Sequence, residues 1–416
     1  MKSNITIKDG WKVLFAGLCI NLTLGVLYSW SVIKKALVHD WNWTNSDASL
    51  PYTVAILTWA IALIFAGRLQ DKIGPRRVVT MGAVFTGGGL ILSSLTTSVP
   101  TLTIAFGVLA GTGIGFAYSA VTPPALKWFH SSKKGMVTGI VVSGMGLASL
   151  YIAPATTMLL KTYGISKTFL ILGIFILVVA VPVAQLIANP PVGYVPPEPK
   201  NLLKSNNKKP SSMNFEWKEM IKTKQFYFLW IMFALSSSAG LMIIGNIATI
   251  AKSQASFENG FYLVGLLAIF NAVGRLGAGI LSDKIGRVKT MMIVFVLQGI
   301  NMSLFATYNT PMTIAIGTAL AGIGYGSLLS LFPSTVADYY GIKNFGANYG
   351  VLYTAWGISG TIGPIIAGIV VDKTGTYNLA YMISAALLVV ALGLAIITKP
   401  VKDTESVESF DEAAAS

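Results

Sequence analysis

The sequence predicts an all-α membrane protein with twelve transmembrane helices in two six-helix repeats. Three observations predict it. Of 416 residues, 54% are hydrophobic and 11% charged, with mean hydropathy +0.67, whereas ordinary soluble proteins carry about 25% charged residues. The apolar residues fall in runs of about 20, the length that crosses a bilayer core. Features of the first half also return in the second.

Taken in order, the runs lie at 12–34, 49–69, 77–97, 100–124, 134–160, 167–188, 225–250, 259–282, 288–308, 311–337, 345–371 and 376–398. The first, Val13 to Val32, is too long for the core of a signal peptide and lacks a convincing cleavage site, so it reads as a span. The sixth and seventh runs are separated by Asn189 to Lys224, which holds Pro190, Pro191, Pro196, Pro197, Pro199, Lys204, Lys208 and Lys209. Such a stretch cannot bury apolar area and reads as a linker. This gives an N-terminal bundle over 1–188, a cytoplasmic linker over 189–224, a C-terminal bundle over 225–399 and an acidic, disordered tail over 400–416. Phe215 to Ile221 is expected to form a short interfacial helix.

A net charge of +14 suggests nucleic acid only if the charge gathers on one soluble face. Instead 23 of the 30 Lys and Arg sit at the termini and the even-numbered connections, the pattern of cytoplasmic loops. Both termini and the linker are therefore predicted to be cytoplasmic, in a cell membrane, with the lipid bilayer as partner. One cysteine, Cys19, excludes an intramolecular disulfide and a CxxC metal site.

The repeat is visible in letters. Gly67-Arg68-Leu69-Gln70-Asp71-Lys72-Ile73-Gly74-Pro75-Arg76 follows span 2, and Gly279-Ile280-Leu281-Ser282-Asp283-Lys284-Ile285-Gly286-Arg287 follows span 8. Gly113-Ile114-Gly115 in span 4 echoes Gly322-Ile323-Gly324 in span 10. Repeated six-helix halves characterise transporters, with the substrate site near the midplane between them. Span 8 carries Arg275, eight residues before Asp283 and so roughly 12 Å along the helix at 1.5 Å per residue. A guanidinium at that depth is costly and faces a cavity or partner rather than lipid. It points to an anionic substrate.

The Gly-x-x-x-Asp-Lys-x-Gly-x-Arg loop, echoed in the second half, resembles the signature of the major facilitator superfamily. That resemblance implies a gating role for Gly67, Asp71, Arg76, Asp283 and Arg287 at the cytoplasmic ends. Further motifs resemble the monocarboxylate transporters and the oxalate:formate antiporter family. These are Asp9-Gly10-Trp11, Trp128-Phe129-His130-Ser131-Ser132-Lys133-Lys134-Gly135, Tyr28-Ser29-Trp30, Leu331-Phe332-Pro333-Ser334 and Asn348-Tyr349-Gly350. By this resemblance Arg275 falls on the span 8 arginine that binds the substrate carboxylate. A guanidinium fork matches a carboxylate in a bidentate pair. Asn271, four residues earlier on the same face, can donate to the anion or steady the arginine.

Animal monocarboxylate transporters carry an aspartate where Asn271 stands and a lysine in span 1. The antiporters carry a lysine in span 11, where this chain has Trp356. One buried cation favours a monoanion, because a second carboxylate would be left unpaired in a dry site at a penalty of several kcal/mol. Tyr28, Tyr118, Tyr325, Phe332, Tyr353 and Trp356 come from helices that surround the cavity in the family's fold. Their hydroxyl and indole groups can donate to a carboxylate or a 2-oxygen, and their rings fit a short aliphatic body.

All sixteen Asp and Glu lie in loops or tails, and His39 and His130 lie in loops. The absence of a His/carboxylate cluster, nucleophile motif or metal spacing argues against an enzyme. A channel would need a polar ring from several spans, and a sensor would need a signalling domain. The resemblance implies a secondary transporter of lactate- or pyruvate-like monocarboxylates, coupled to protons, with an anion exchanger as the alternative. No cofactor, metal or obligate protein partner is expected.

Overall fold

A computed structural model describes residues 7–197, 214–257 and 260–401, with helices and no strand among them. Span 1 is α1 (Ile7–Thr23), a 3-10 turn (Gly25–Ser29) and α2 (Trp30–Asp40). Spans 2 and 3 are α3 (Asn45–Ile73) and α4 (Pro75–Ser93). Span 4 begins with α5 (Val99–Leu102), continues through a π-helical stretch (Thr103–Ala110) and ends as α6 (Gly111–Trp128). Spans 5 and 6 form one long element, α7 (Lys134–Ala184), broken at Gly164 with φ 74°. After the linker helix α8 (Trp217–Met220) come α9 (Lys224–Ala255), α10 (Phe261–Ile285), α11 (Arg287–Leu304), α12 (Pro311–Tyr339), α13 (Phe345–Thr374) and α14 (Asn378–Ile397). Among the described residues nine helical stretches are long and apolar enough to cross a membrane, one of them Ser131–Ala184 with its two spans.

Side chains set the helix starts. Thr44, Thr223 and Thr310 each accept an N–H from the first turn of α3, α9 and α12, at 3.1, 3.3 and 3.2 Å; such caps satisfy donors that the helix leaves free. Gly74 and Gly286 end α3 and α10 at φ 90° and 98°, a conformation other residues rarely adopt. The linker helix starts two residues later than predicted, because Glu216 and Glu219 close a capping box at its first turn, and it ends at Met220. The rest of the expected linker, with Pro199, Lys204, Lys208 and Lys209, and the expected acidic tail lie outside the described residues.

The two halves meet along α3 with α13 and α7 with α10, and glycines let the backbones close. A Cβ on Gly135 would strike the Gly279 carbonyl, and one on Gly67 would strike that of Gly346. Farther in, Gly139 lies on the Arg275 backbone and Gly350 on that of Leu63. Deeper still, Gly146 faces the Asn271 and Arg275 side chains while Gly357 faces Ala60. Each contact repeats its mate at an offset of 211 or 212 residues. The letter match in spans 4 and 10 is shifted from this register by two residues. Gly111, Gly113 and Gly115 pack on Ala55, Thr86 and Trp59, whereas Gly322, Gly324 and Gly326 pack on Leu267, Gln298 and Asn271. The structural equivalents are therefore Gly111 with Gly322, Gly113 with Gly324 and Gly115 with Gly326.

Candidate functional site

Arg275 is the largest side chain among those fully buried, at 1% exposure. Its Nε donates to Asn271 Oδ1 at 2.8 Å, so Asn271 holds the arginine through its oxygen. Nη1 donates to the Val142 carbonyl of α7, a bond that crosses between the halves. Nη2 is buried and has no hydrogen-bond partner among the described residues. A buried charged donor left open is expensive, and it is the donor that an incoming anion would meet. The neighbouring carbonyl, Val141, is taken by Asn21 Nδ2 of α1 at 2.8 Å. Gly139, Gly144 and Gly146 leave this stretch of α7 without side chains, so its backbone can be approached.

Aromatic rings close the rest of the site. Tyr118, Tyr325 and Tyr349 all lie within the field of the Arg275 charge. Trp356 Nε1 donates to the Tyr325 hydroxyl at 2.7 Å. The Trp356 ring lies 5.0 Å from Tyr353 and 5.3 Å from Trp59, while Trp59 meets Tyr118 edge-on at 5.5 Å. Tyr28, in the 3-10 turn of span 1, is 39% exposed. Phe332 sits one layer back: it stacks on Phe233 at 4.4 Å, and Phe233 meets Tyr353 edge-on at 6.0 Å. Of the residues expected at the cavity, Phe332 is therefore a support.

Trp59 and Tyr349, the latter known from the sequence only as part of a motif, join this cluster without being among the residues expected to line it. Trp59 stands beside Ala60, Leu63 and Gly67, the α3 positions that face α13. Their three- and four-residue spacing, ending at the loop glycine, could have marked that helical face.

The predicted gating loops lie where the halves close, at the end of the bundle that carries the basic loops. Asp283 accepts the Gly135 and Met136 N–H groups, both at 2.8 Å, in the first turn of α7. Asp71 makes the repeat-related contact with the Ala347 backbone in the first turn of α13. Arg287 pairs with Asp283 and with Asp338, each at 2.7 Å, and Asp338 pairs with Lys134 of the first half at 2.9 Å. Arg76, expected to share this role, is exposed, and no ion pair reaches it among the described residues. In the repeat its position falls near Arg287, yet the second carboxylate is missing: Lys127 occupies the mate of Asp338. The linker adds a further tie. Asn344 and Asn348 donate to the Phe215 carbonyl at 3.2 and 3.0 Å, and the Arg68 guanidinium lies 4.2 Å from the Trp217 ring centroid.

The remaining motifs also meet in space. A Cβ on Gly10 would press on Trp128, and Trp11 meets Phe129 edge-on at 5.2 Å. The opening of span 1 thus packs on the end of span 4.

Two duplicated six-helix halves around a buried arginine are the architecture of a membrane transporter. The chain belongs to the Major Facilitator Superfamily, whose family model matches residues 13–276 and 247–416. Among its relatives, an uncharacterized MFS-type transporter of Escherichia coli, YhjX, is 31% identical over 352 residues, covering 84% of this chain and 85% of that one. The oxalate:formate antiporter of Oxalobacter formigenes is 27% identical over 392 residues, covering 93% and 91% of the two chains. Monocarboxylate transporter 13 of Rattus norvegicus is 23% identical over 398 residues, covering 94% and 89%. The solved structure of the E. coli fucose:proton symporter FucP matches the fold with a TM-score of 0.69 at 14% identity, covering 93% of this chain and 98% of that one. The chain is a transporter of this superfamily, related to the antiporter and the monocarboxylate transporters.

Proposed function

We propose that the protein is a secondary transporter of short monocarboxylates, lactate- or pyruvate-like, working by alternating access and driven by the proton gradient. It resides in the cell membrane with both termini cytoplasmic. One observation carries the reading: Arg275 is buried between the halves, and its Nη2 has no hydrogen-bond partner among the described residues. A carboxylate oxygen satisfies that donor, and the tyrosine hydroxyls around it supply further donors. The aromatic walls suit a short organic body. Contacts along α3–α13 and α7–α10, with the ion pairs of Asp338, seal this space on the side of the basic loops.

A second reading, carboxylate exchange, has its own support. Among the described residues no Asp or Glu is fully buried, so no internal proton carrier accompanies Arg275. Uptake of labelled L-lactate into proteoliposomes separates the two. Uptake into empty vesicles driven by an acidic exterior is the expected result. Uptake only against preloaded formate would establish exchange, and no uptake in either case would overturn the monocarboxylate assignment.

The charge count gives a further prediction. Trp356→Lys places a second cation in the aromatic cluster and removes the bond to Tyr325. Competition by oxalate relative to formate should rise by about tenfold or more, since a newly paired buried charge is worth at least ~1.4 kcal/mol. An unchanged oxalate:formate ratio would remove the charge-count argument.

A further inference from the structure

The offset between the halves assigns each site residue a mate. Gly139 packs on the Arg275 carbonyl and the Leu276 Cα, and Gly350 packs in the same way on the Leu63 carbonyl and the Ile64 Cα. Gly326 packs on the Asn271 carbonyl, and Gly115 packs on the Trp59 carbonyl. Leu63 therefore occupies the position of Arg275 in the other half, and Trp59 that of Asn271. The two walls share one backbone arrangement with opposite chemistry. On the α7–α10 side stand a guanidinium and an amide. On the α3–α13 side stand an isobutyl group and an indole.

Trp59 is only 5% exposed and joins both halves, touching Tyr118 of α6 and Tyr353 and Trp356 of α13. Its ring is seated against Gly115, where an added Cβ would lie 3.2 Å from Trp59 Cδ1. Its Nε1 is buried and has no hydrogen-bond partner among the described residues. Tyr118 meets the Trp59 ring edge-on, and in the repeat the indole holds on α3 the place that Asn271, the partner of the guanidinium, holds on α10. A carboxylate seated on Arg275 directs the remainder of a short acid toward this wall. An uncharged wall gives that end no counter-charge and limits its length.

We propose that Trp59, with Leu63 one turn along α3, is the specificity-determining wall that receives the organic end of the substrate. This inference rests on the monocarboxylate reading of Arg275. Trp59 sets how large that end can be, while Arg275 selects the charge at the other.

The test is competition by acetate, propionate, butyrate, pentanoate and 3-methylbutyrate against labelled L-lactate bound to purified protein. Wild type, Trp59→Ala, Trp59→Phe, Leu63→Ala and Arg275→Gln are compared. Wild type should favour the shortest acids. In Trp59→Ala the affinity for pentanoate relative to propionate should rise by about tenfold or more, since one methylene in an apolar pocket is worth roughly 10–200-fold. Trp59→Phe and Leu63→Ala should shift the ratio less and in the same direction, and they carry the test if the alanine variant at 59 does not fold. A merely structural role would weaken all acids together and leave their order intact. Unchanged ranking in variants that still bind, with binding still lost in Arg275→Gln, overturns the wall and leaves the carboxylate assignment standing. If wild type binds none of the acids, both fall.

Discussion

Arg275→Gln should remove measurable binding of monocarboxylates while the protein remains folded. Glutamine can keep a hydrogen bond toward Asn271 but brings no charge to the buried space around Nη2. Removing one partner of a buried, hydrogen-bonded charge pair costs about 2–5 kcal/mol, roughly 30- to 4,000-fold in affinity. The loss should concern ligands with a carboxylate and be insensitive to what they carry at the other end. Arg275→Lys separates charge from geometry. Lysine restores a cation but not the planar fork, which now spans Asn271 Oδ1, the Val142 carbonyl and the open Nη2 at once. It should recover part of the affinity. Binding to purified protein is the proper readout, because Arg275 also ties α10 to α7 and its loss alters the moving interface as well. Full affinity in the glutamine variant would mean that the carboxylate sits elsewhere.

Arg275 was legible in the sequence because depth in an apolar run makes a lone guanidinium conspicuous whatever surrounds it. The same holds for Asn271, one helical turn away. The gate was legible only in part. Asp283 and Arg287 stand in a repeated motif, but their anionic partner Asp338 reads as an ordinary loop carboxylate at the end of span 10. Its cross-half partner Lys134 is 204 residues away, so no local spacing could join them. Arg76 shows the opposite failure. The letters of the motif repeat, yet without a second carboxylate in the first half the side chain remains in solvent. Trp59 was hidden for a third reason: an aromatic in mid-span looks the same whether it packs or binds. The repeat could have exposed it, but the conspicuous Gly-Ile-Gly letters mark a register two residues from the one in which the glycines do equivalent work. Close helix approach, rather than letter identity, fixes that register.

Asp338→Asn should open the basic end of the molecule. Asp338 joins Lys134 of α7 to Arg287 of α11, and Arg287 in turn steadies Asp283 against the first N–H groups of α7. Two C-half carboxylates thus hold the start of an N-half helix, where the helix dipole also favours negative charge. The amide keeps the shape of the side chain but leaves Lys134 and Arg287 facing each other with one anion fewer. A fully buried pair broken in this way loses about 3–5 kcal/mol. Here Lys134 and Asp338 retain 13% and 30% side-chain exposure, so solvent screening reduces the figure to roughly 2–3 kcal/mol. That changes the ratio of closed to open forms by about 30- to 150-fold, enough to bring a state favoured by about 2–3 kcal/mol to equal population with the open one. Spin labels at the exposed positions Lys72 and Lys343, beside the contact of α3 with α13, report the change as a longer distance population. Asp338→Glu, which keeps the charge, should retain the short distances. If the asparagine variant shows the wild-type distribution, the glycine contacts, the Asp283 bonds and the linker tie hold this end closed without Asp338, whose ion pairs are then incidental to the gate. If it opens, the ties of the α3–α13 side, Asp71 on the Ala347 backbone and the linker contacts, do not hold the gate by themselves. The first half has Lys127 where the second has Asp338, so the α3–α13 seam lacks this chain of charges and must follow the α7–α10 seam as it parts.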